Sequence, residues 1–247
     1  MTTRRRLLTT LSLLGVAAAL PGLPSHADAP AAKPKASAPV RKIKRVGLEL
    51  VLLVDGSASI SEGALEFQLQ GHAAAFRDPA VAEAAAMTAT AVTLCSFSGP
   101  NTLRTLVPWT VIESAEAASR FATATDAAPR DDRPDSTAIG SALYGAMDLF
   151  GGAGVLGARR VIDLVSNGFS NTGIDPLAAR ARADTRGIGI NALAILDEFD
   201  WLEGYYRETV ITGPNAFVRT VDSRENFAEA LRNKLILEIA GLPRMAG

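Results

Sequence analysis

From residue 48 onward the sequence alternates short apolar runs with stretches of helical periodicity, and this alternation constrains the fold more than any other feature. Residues 48–54 (LELVLLV) are apolar apart from Glu49, the pattern of a strand covered on both faces. Residues 59–76 place Leu65, Leu69 and Phe76 on a helical period, which Arg77-Asp78-Pro79 ends. The next strand is expected over 88–97. Residues 101–112 (NTLRTLVPWTVI) read as a hairpin or edge strand, because Pro108 is tolerated only at an edge or a bulge. Helices over 114–125 and 137–150 follow, then a strand at 160–165 (RVIDLV), a helix at 176–186 and a buried strand at 188–196 (IGINALAIL). A last strand at 215–221 leads to a helix over 223–239, with Ser223 as its cap. This pattern makes the chain an α/β protein. The sheet is expected to be doubly wound and mostly parallel, with helices on both faces and one antiparallel edge strand. Ligands of such sheets sit beyond the carboxyl ends of the strands.

A hydrophobic content of 48% supplies one core of about 200 residues, assigned to 46–241 with a short tail at 242–247. Residues 1–27 read as an export signal: Arg4-Arg5-Arg6, an apolar run to Leu20, then small residues. The paired arginines suggest the twin-arginine route, which places the chain in the periplasm or outside a bacterial cell. A general secretory signal and an uncleaved anchor are the competing readings. The apolar run falls short of the ~20 residues a spanning helix needs, so no stable span is expected after cleavage. Residues 28–45, rich in Ala, Pro and Lys, read as a flexible linker.

Removing the three signal arginines takes the net charge from −1 to −4, which offers nucleic acid no general attraction. Cys95 is the only cysteine and lies in an apolar stretch, so it reads as a buried strand residue and forms no intramolecular disulfide. Beyond the signal only His72 remains, within a helical pattern, which excludes histidine-rich zinc sites and two-histidine mechanisms.

The first strand runs into Asp55-Gly56-Ser57-Ala58-Ser59. Alternation in extended backbone sends the three oxygen-bearing side chains to one side, where hard divalent cations find the ligands they prefer. Taken alone, the cluster serves equally well as a helix cap with an Asx turn. Two later segments bring more oxygens to the same sheet edge: Asp135-Ser136-Thr137 before the helix at 137–150, and Ser166-Asn167-Gly168 after the strand RVIDLV. Three loops then form one discontinuous site.

VLLVDGSASI, DSTAIGSAL and VIDLVSNG together resemble the von Willebrand factor A-like (vWA) domain with its metal-ion-dependent adhesion site, in an exported bacterial branch. The resemblance spans roughly residues 47–240. It implies that Ser57 and Ser59 bind a cation directly, that Asp55 binds through water or holds those ligands, and that Thr137 adds a third oxygen. The resemblance further implies that the cation is Mg2+, or Mn2+ or Ca2+, and that a protein partner supplies a carboxylate to it. Asn167 departs from the family pattern, which has Asp at that place; its amide offers a carbonyl oxygen without charge.

Other residues admit plainer readings. Asp163 reads as a structural, hydrogen-bonded carboxylate inside a strand, Trp109 as core or edge packing, and Arg130-Asp131-Asp132-Arg133 as a solvated loop. Asp197, Asp200 and Trp201 follow a strand at the metal-side edge, where an acidic, aromatic loop can contact a partner or simply be solvated. The leading reading is a non-enzymatic module that binds protein through a cation. A metal-free structural or assembly subunit and a metal-dependent hydrolase remain open. The hydrolase would need a base or nucleophile beside the metal, and no histidine occurs in these loops.

Overall fold

The structure, a computed structural model, describes residues 43–57, 63–130, 136–152 and 154–241. The expected signal, most of the linker, the tail, Ser59 and 131–135 lie outside the described residues. Among the described residues, six strands and seven helices follow in order. They are β1 (Lys44–Asp55), α1 (Ala64–Arg77), α2 (Pro79–Thr88), β2 (Thr90–Phe97), β3 (Arg104–Ile112), α3 (Ala115–Asp126) and α4 (Ile139–Ala146). After these come β4 (Val155–Ser166), α5 (Pro176–Thr185), β5 (Gly189–Ile195), α6 (Leu202–Thr209), β6 (Val218–Val221) and α7 (Arg224–Ala240).

The strands form one sheet in the order β3-β2-β1-β4-β5-β6. Every neighbouring pair is parallel except β2 and β3. The expected doubly wound sheet with one antiparallel edge strand is what the chain forms. Pro108 lies on that edge strand, where its missing N–H leaves no ladder bond unmade, and the β2–β3 register shifts around Leu94 opposite Val107.

β1 shows why the sheet needs helices on both sides. Leu48, Leu50, Leu52 and Val54 pack with α1, α2, α3 and α7, while Val51 and Leu53 face α4, α5 and α6. Glu49 interrupts this run, yet it is buried and accepts hydrogen bonds from Gly151 N (2.9 Å) and Gly157 N (2.6 Å). Cys95 is buried in β2 as expected, and burial pushes its thiol up to about 11, so it stays protonated.

Several boundaries differ from the expectation. β1 takes in Lys44 and Arg45, the last two residues of the expected linker. Helix α2 was not read from the sequence because PAVAEAAAMT is too alanine-rich for a clear period. Asp78 starts it by accepting from Ala80 N (2.9 Å) and Val81 N (3.4 Å), with Pro79 in the first turn. Helix α6 was likewise not read. Helix α4 ends at Ala146, and the chain to Gly152 continues in tighter turns bonded at three-residue spacing, such as Leu149 N to Ala146 O. Ser223 precedes α7, but its side chain makes no capping hydrogen bond. No helix among the described residues is long and apolar enough to cross a membrane.

Candidate functional site

The order of strands reverses between β1 and β4, and the carboxyl ends of these two neighbours frame the crevice where such sheets bind ligands. Asp55 ends β1 and Ser166 ends β4. Asp55 is fully buried; its Oδ1 accepts from Ser57 N at 2.8 Å and its Oδ2 accepts from the Ser166 hydroxyl. The first bond closes an Asx turn that folds the loop so that Ser57 lies over the aspartate. Burial raises the Asp55 carboxyl above its ordinary range, against the bonds from Ser166 and Ser57 that lower it. A bound cation would hold this carboxylate ionised.

Thr137, just before α4, is brought across from the second loop. Its hydroxyl donates to Ser57 Oγ at 2.9 Å, and both residues are buried. Oxygens at adjacent corners of a magnesium octahedron, with bonds of ~2.1 Å, stand about 3 Å apart. The Ser57–Thr137 pair therefore has the spacing of two neighbouring ligands of such an ion. Asn167 follows Ser166 in the third loop; it is buried, and its Oδ1 has no hydrogen-bond partner among the described residues. An orphaned buried carbonyl oxygen is an unusual expense that a cation, or water bound to it, would relieve. The donor set fits a hard divalent cation, with Asp55 supplying a carboxylate. No group of three Asp, Glu, His or Cys side chains converges among the described residues.

The structure thus brings Asp55, Ser57 and Thr137 together and sets Asn167 at the same edge, while Ser59 falls outside the described residues. Three supporting residues were not expected at this site. Gln68 on α1 accepts from Asp55 N (3.3 Å) and donates to Asp55 O (2.9 Å). Asn171 takes Thr137 N on its Oδ1 (2.9 Å) and donates its own N–H to Thr137 O (2.9 Å). Tyr206, buried on α6, donates to Gly168 O at 2.5 Å. Gln68 had a signal, since it is a polar residue on the same helical stripe as Leu65 and Leu69; Asn171 had none.

Asp197 and Asp200 are exposed on the loop after β5, and Trp201 is 48% exposed. Trp201 belongs to an aromatic patch that reaches the metal-side loops. Its ring lies 5.5 Å from Phe169, which follows Gly168, and 5.2 Å from Phe199. Tyr205 joins the patch and accepts Ser170 N at 3.2 Å, so the third loop rests on α6. Trp109 instead packs at the edge strand against Phe150.

Comparison with known proteins gives the fold a name. Residues 45–243 match the family described as "Protein of unknown function (DUF1194)". No curated protein sequence matches the chain significantly. Among solved structures, it is similar to proximal thread matrix protein 1 from the mussel byssus with a zinc-occupied MIDAS motif (TM-score 0.61, 20% identity, 80% of this chain and 48% of that one). It is also similar to the pilus adhesin SpaC from Lactobacillus rhamnosus GG (TM-score 0.57, 16% identity, 79% and 30% covered). A third is the vWF domain of the type V pili tip protein Mfa5 from Porphyromonas gingivalis (TM-score 0.53, 12% identity, 82% and 98% covered). The chain spans about half the length of the mussel protein. With its fold that of the vWA domains, this chain belongs to the DUF1194 family.

Proposed function

We propose that the chain is an exported, non-enzymatic module that binds a protein partner through a divalent cation. Asp55, Ser57, Ser59, Thr137 and Asn167 hold the ion, which is Mg2+, or Mn2+ or Ca2+. The observation that carries this reading is the meeting of the Ser57 and Thr137 hydroxyls at 2.9 Å beside a buried aspartate, from loops 80 residues apart in sequence. When bound, the cation supplies a positive centre that a partner's carboxylate can complete. The chain's own residues do the positioning: Ser166 and Ser57 N orient Asp55, and Asn171 holds Thr137. The exposed aromatics Phe169 and Trp201 give the partner apolar contact beside the ion, and Asp197 and Asp200 form an acidic rim around it. Export follows from the twin-arginine-like segment at residues 1–27, and extracellular vWA relatives such as the pilus proteins are in keeping with it.

A hydrolase finds little support. His72 is enclosed in the α1 core with Nδ1 on the Gln68 carbonyl (2.8 Å), one helical turn beyond the residue that clamps Asp55. A metal-free structural subunit keeps one observation in its favour, because Asp55, Ser57, Ser166 and Thr137 already hydrogen-bond to one another. Calorimetry with Mg2+, Mn2+ and Ca2+ decides between the two. The cation reading requires binding that Asp55→Ala abolishes, together with capture of an envelope protein that a chelator reverses.

A further inference from the structure

The most unusual chemistry outside the cation site lies on the opposite face of the sheet, in the layer beneath α7. Asp163 sits in the middle of β4, between Leu52 on β1 and Asn191 on β5. Its neighbours on that face, Val161 and Val165, belong to the core that α7 covers with Leu231 and Leu235. Lys234 of α7 reaches into this core, and its Nζ touches Asp163 Oδ1. Both side chains are 0% exposed. Glu238, one turn further along α7, places Oε2 3.3 Å from the same Nζ. Asn191 fixes the other Glu238 oxygen by donating to Oε1 at 2.6 Å, and the Phe217 ring stands 5.5 Å from Nζ.

An ion pair buried to this degree is retained when hydrogen bonds satisfy the remaining lone pairs, because each desolvated ion costs several kcal/mol. That compensation is incomplete here. Lys234 Nζ touches Asp163 Oδ1 without the geometry of a hydrogen bond, which leaves the Glu238 carboxyl as the group that bonds Asp163. Asp163 is the buried strand carboxylate expected, and it is ion-paired with Lys234 in a contact closer to an encounter than to a hydrogen bond. The three groups also do not balance as ions, with two carboxyls facing one amine. Burial first, and then the neighbouring Asp163, raise the Glu238 carboxyl far above its usual range, so it holds a proton.

We propose that Lys234 and Asp163 condense into an intramolecular amide that joins α7 to the centre of the sheet, with Glu238 transferring the protons. The ammonium first passes a proton to the Asp163 carboxylate, which leaves a neutral amine and a neutral acid. The Nζ lone pair attacks Asp163 Cγ; a C–N bond forms and the C=O π bond opens. The Glu238 carboxyl gives its proton to the departing Asp163 hydroxyl and takes one from Nζ. The C–O bond breaks, one water leaves, and Glu238 ends protonated as it began. The step needs no oxidant, reductant or cofactor. The bond does not depend on the cation reading.

Mass spectrometry of the full chain, denatured and digested with trypsin, tests this. The expected product is a branched peptide in which Lys234 is joined to Asp163, lighter than its two parts by one water and uncut after Lys234. Glu238→Ala keeps both partners and is expected to give the two linear peptides instead. A wild-type digest with only linear peptides, including one ending at Lys234, overturns the proposal. So does a branch through Glu238 or Asn191, or an unchanged yield of the amide in Glu238→Ala.

Discussion

Gln68 clamps both main-chain polar groups of Asp55, accepting from its N–H at 3.3 Å and donating to its C=O at 2.9 Å. On the β4 side the pairing of β1 ends at Val54 opposite Val165, and a side chain from α1 bonds the next main-chain groups. The aspartate is fixed from behind, so its carboxylate is free to face the other loops. Gln68 is itself 1% exposed. Gln68→Ala leaves a buried N–H and C=O unsatisfied, which is expected to lower stability by about 1–3 kcal/mol. Urea unfolding measures that loss. Calorimetry should show weaker cation binding as well, and an unchanged affinity would mean that the clamp serves the fold alone.

Asn171 performs the same service for Thr137, with one bond to each main-chain group. Its bonds go to Thr137 main-chain atoms, so its removal tests positioning apart from coordination. Asn171→Ala is expected to cut cation affinity by ~10–100-fold, as losses of outer supporting residues do. The thermal midpoint should change far less than for Gln68→Ala.

Asn167 carries the reverse prediction. Its Oδ1 is buried without a partner among the described residues, and an aspartate there would bring another carboxylate to the edge where Asp55 is buried. Without cation the two charges repel, and with cation both are neutralised. Asn167→Asp is expected to lower the stability of the cation-free protein and to tighten binding on the order of tenfold. Equal affinities for the two proteins would show that Asn167 lies outside the ion's reach.

The strand–helix alternation was legible because every central strand is buried on both faces, which leaves continuous apolar runs such as residues 50–54. Helices α2 and α6 were not legible. The first is mostly alanine, and the second is short and amphipathic, burying only Leu202 and Tyr206. Within the site, Asp55, Ser57 and Thr137 were readable because hydroxyls and a carboxylate after buried strands are chemically distinctive. The residues that hold them act through main-chain bonds, and a lone Gln or Asn leaves no pattern in the chain. Asp163 was placed in its strand, but Lys234 as its partner arises only when α7 folds back over β4, 71 residues later in the sequence.

His72 sets an acid-side limit on stability. Burial lowers its pKa from 6.5 to about 4, against the opposing influence of the bond to the Gln68 carbonyl. Above pH 6.5 both folded and unfolded chains carry a neutral imidazole, and stability is full. As the pH falls towards about 4, the unfolded chain takes up a proton that the native one refuses, and stability declines. The whole loss amounts to about 3 kcal/mol. Urea midpoints measured across this window should fall for the wild type. His72→Leu should flatten the decline, and parallel profiles would assign it to other groups.

Gly140 links the packing of α4 to the cation site. A Cβ at this position would stand 2.0 Å from Ile174 O, a main-chain atom that cannot swing aside. Only glycine lets the start of α4 press against the loop at 171–175, and that approach is what sets Thr137 within reach of Asn171. Gly140→Ala must therefore push helix and loop apart. The alanine itself favours helix by up to ~1 kcal/mol, so the clash works against a local gain. The expected outcome is a net loss of stability together with weaker cation binding. Gly204, on α6 with open space where a Cβ would stand, is the control. Gly204→Ala should stabilise the protein and leave its affinity unchanged. If Gly140→Ala loses stability but binds the cation as the wild type does, the Thr137–Asn171 contact is not what positions the ion.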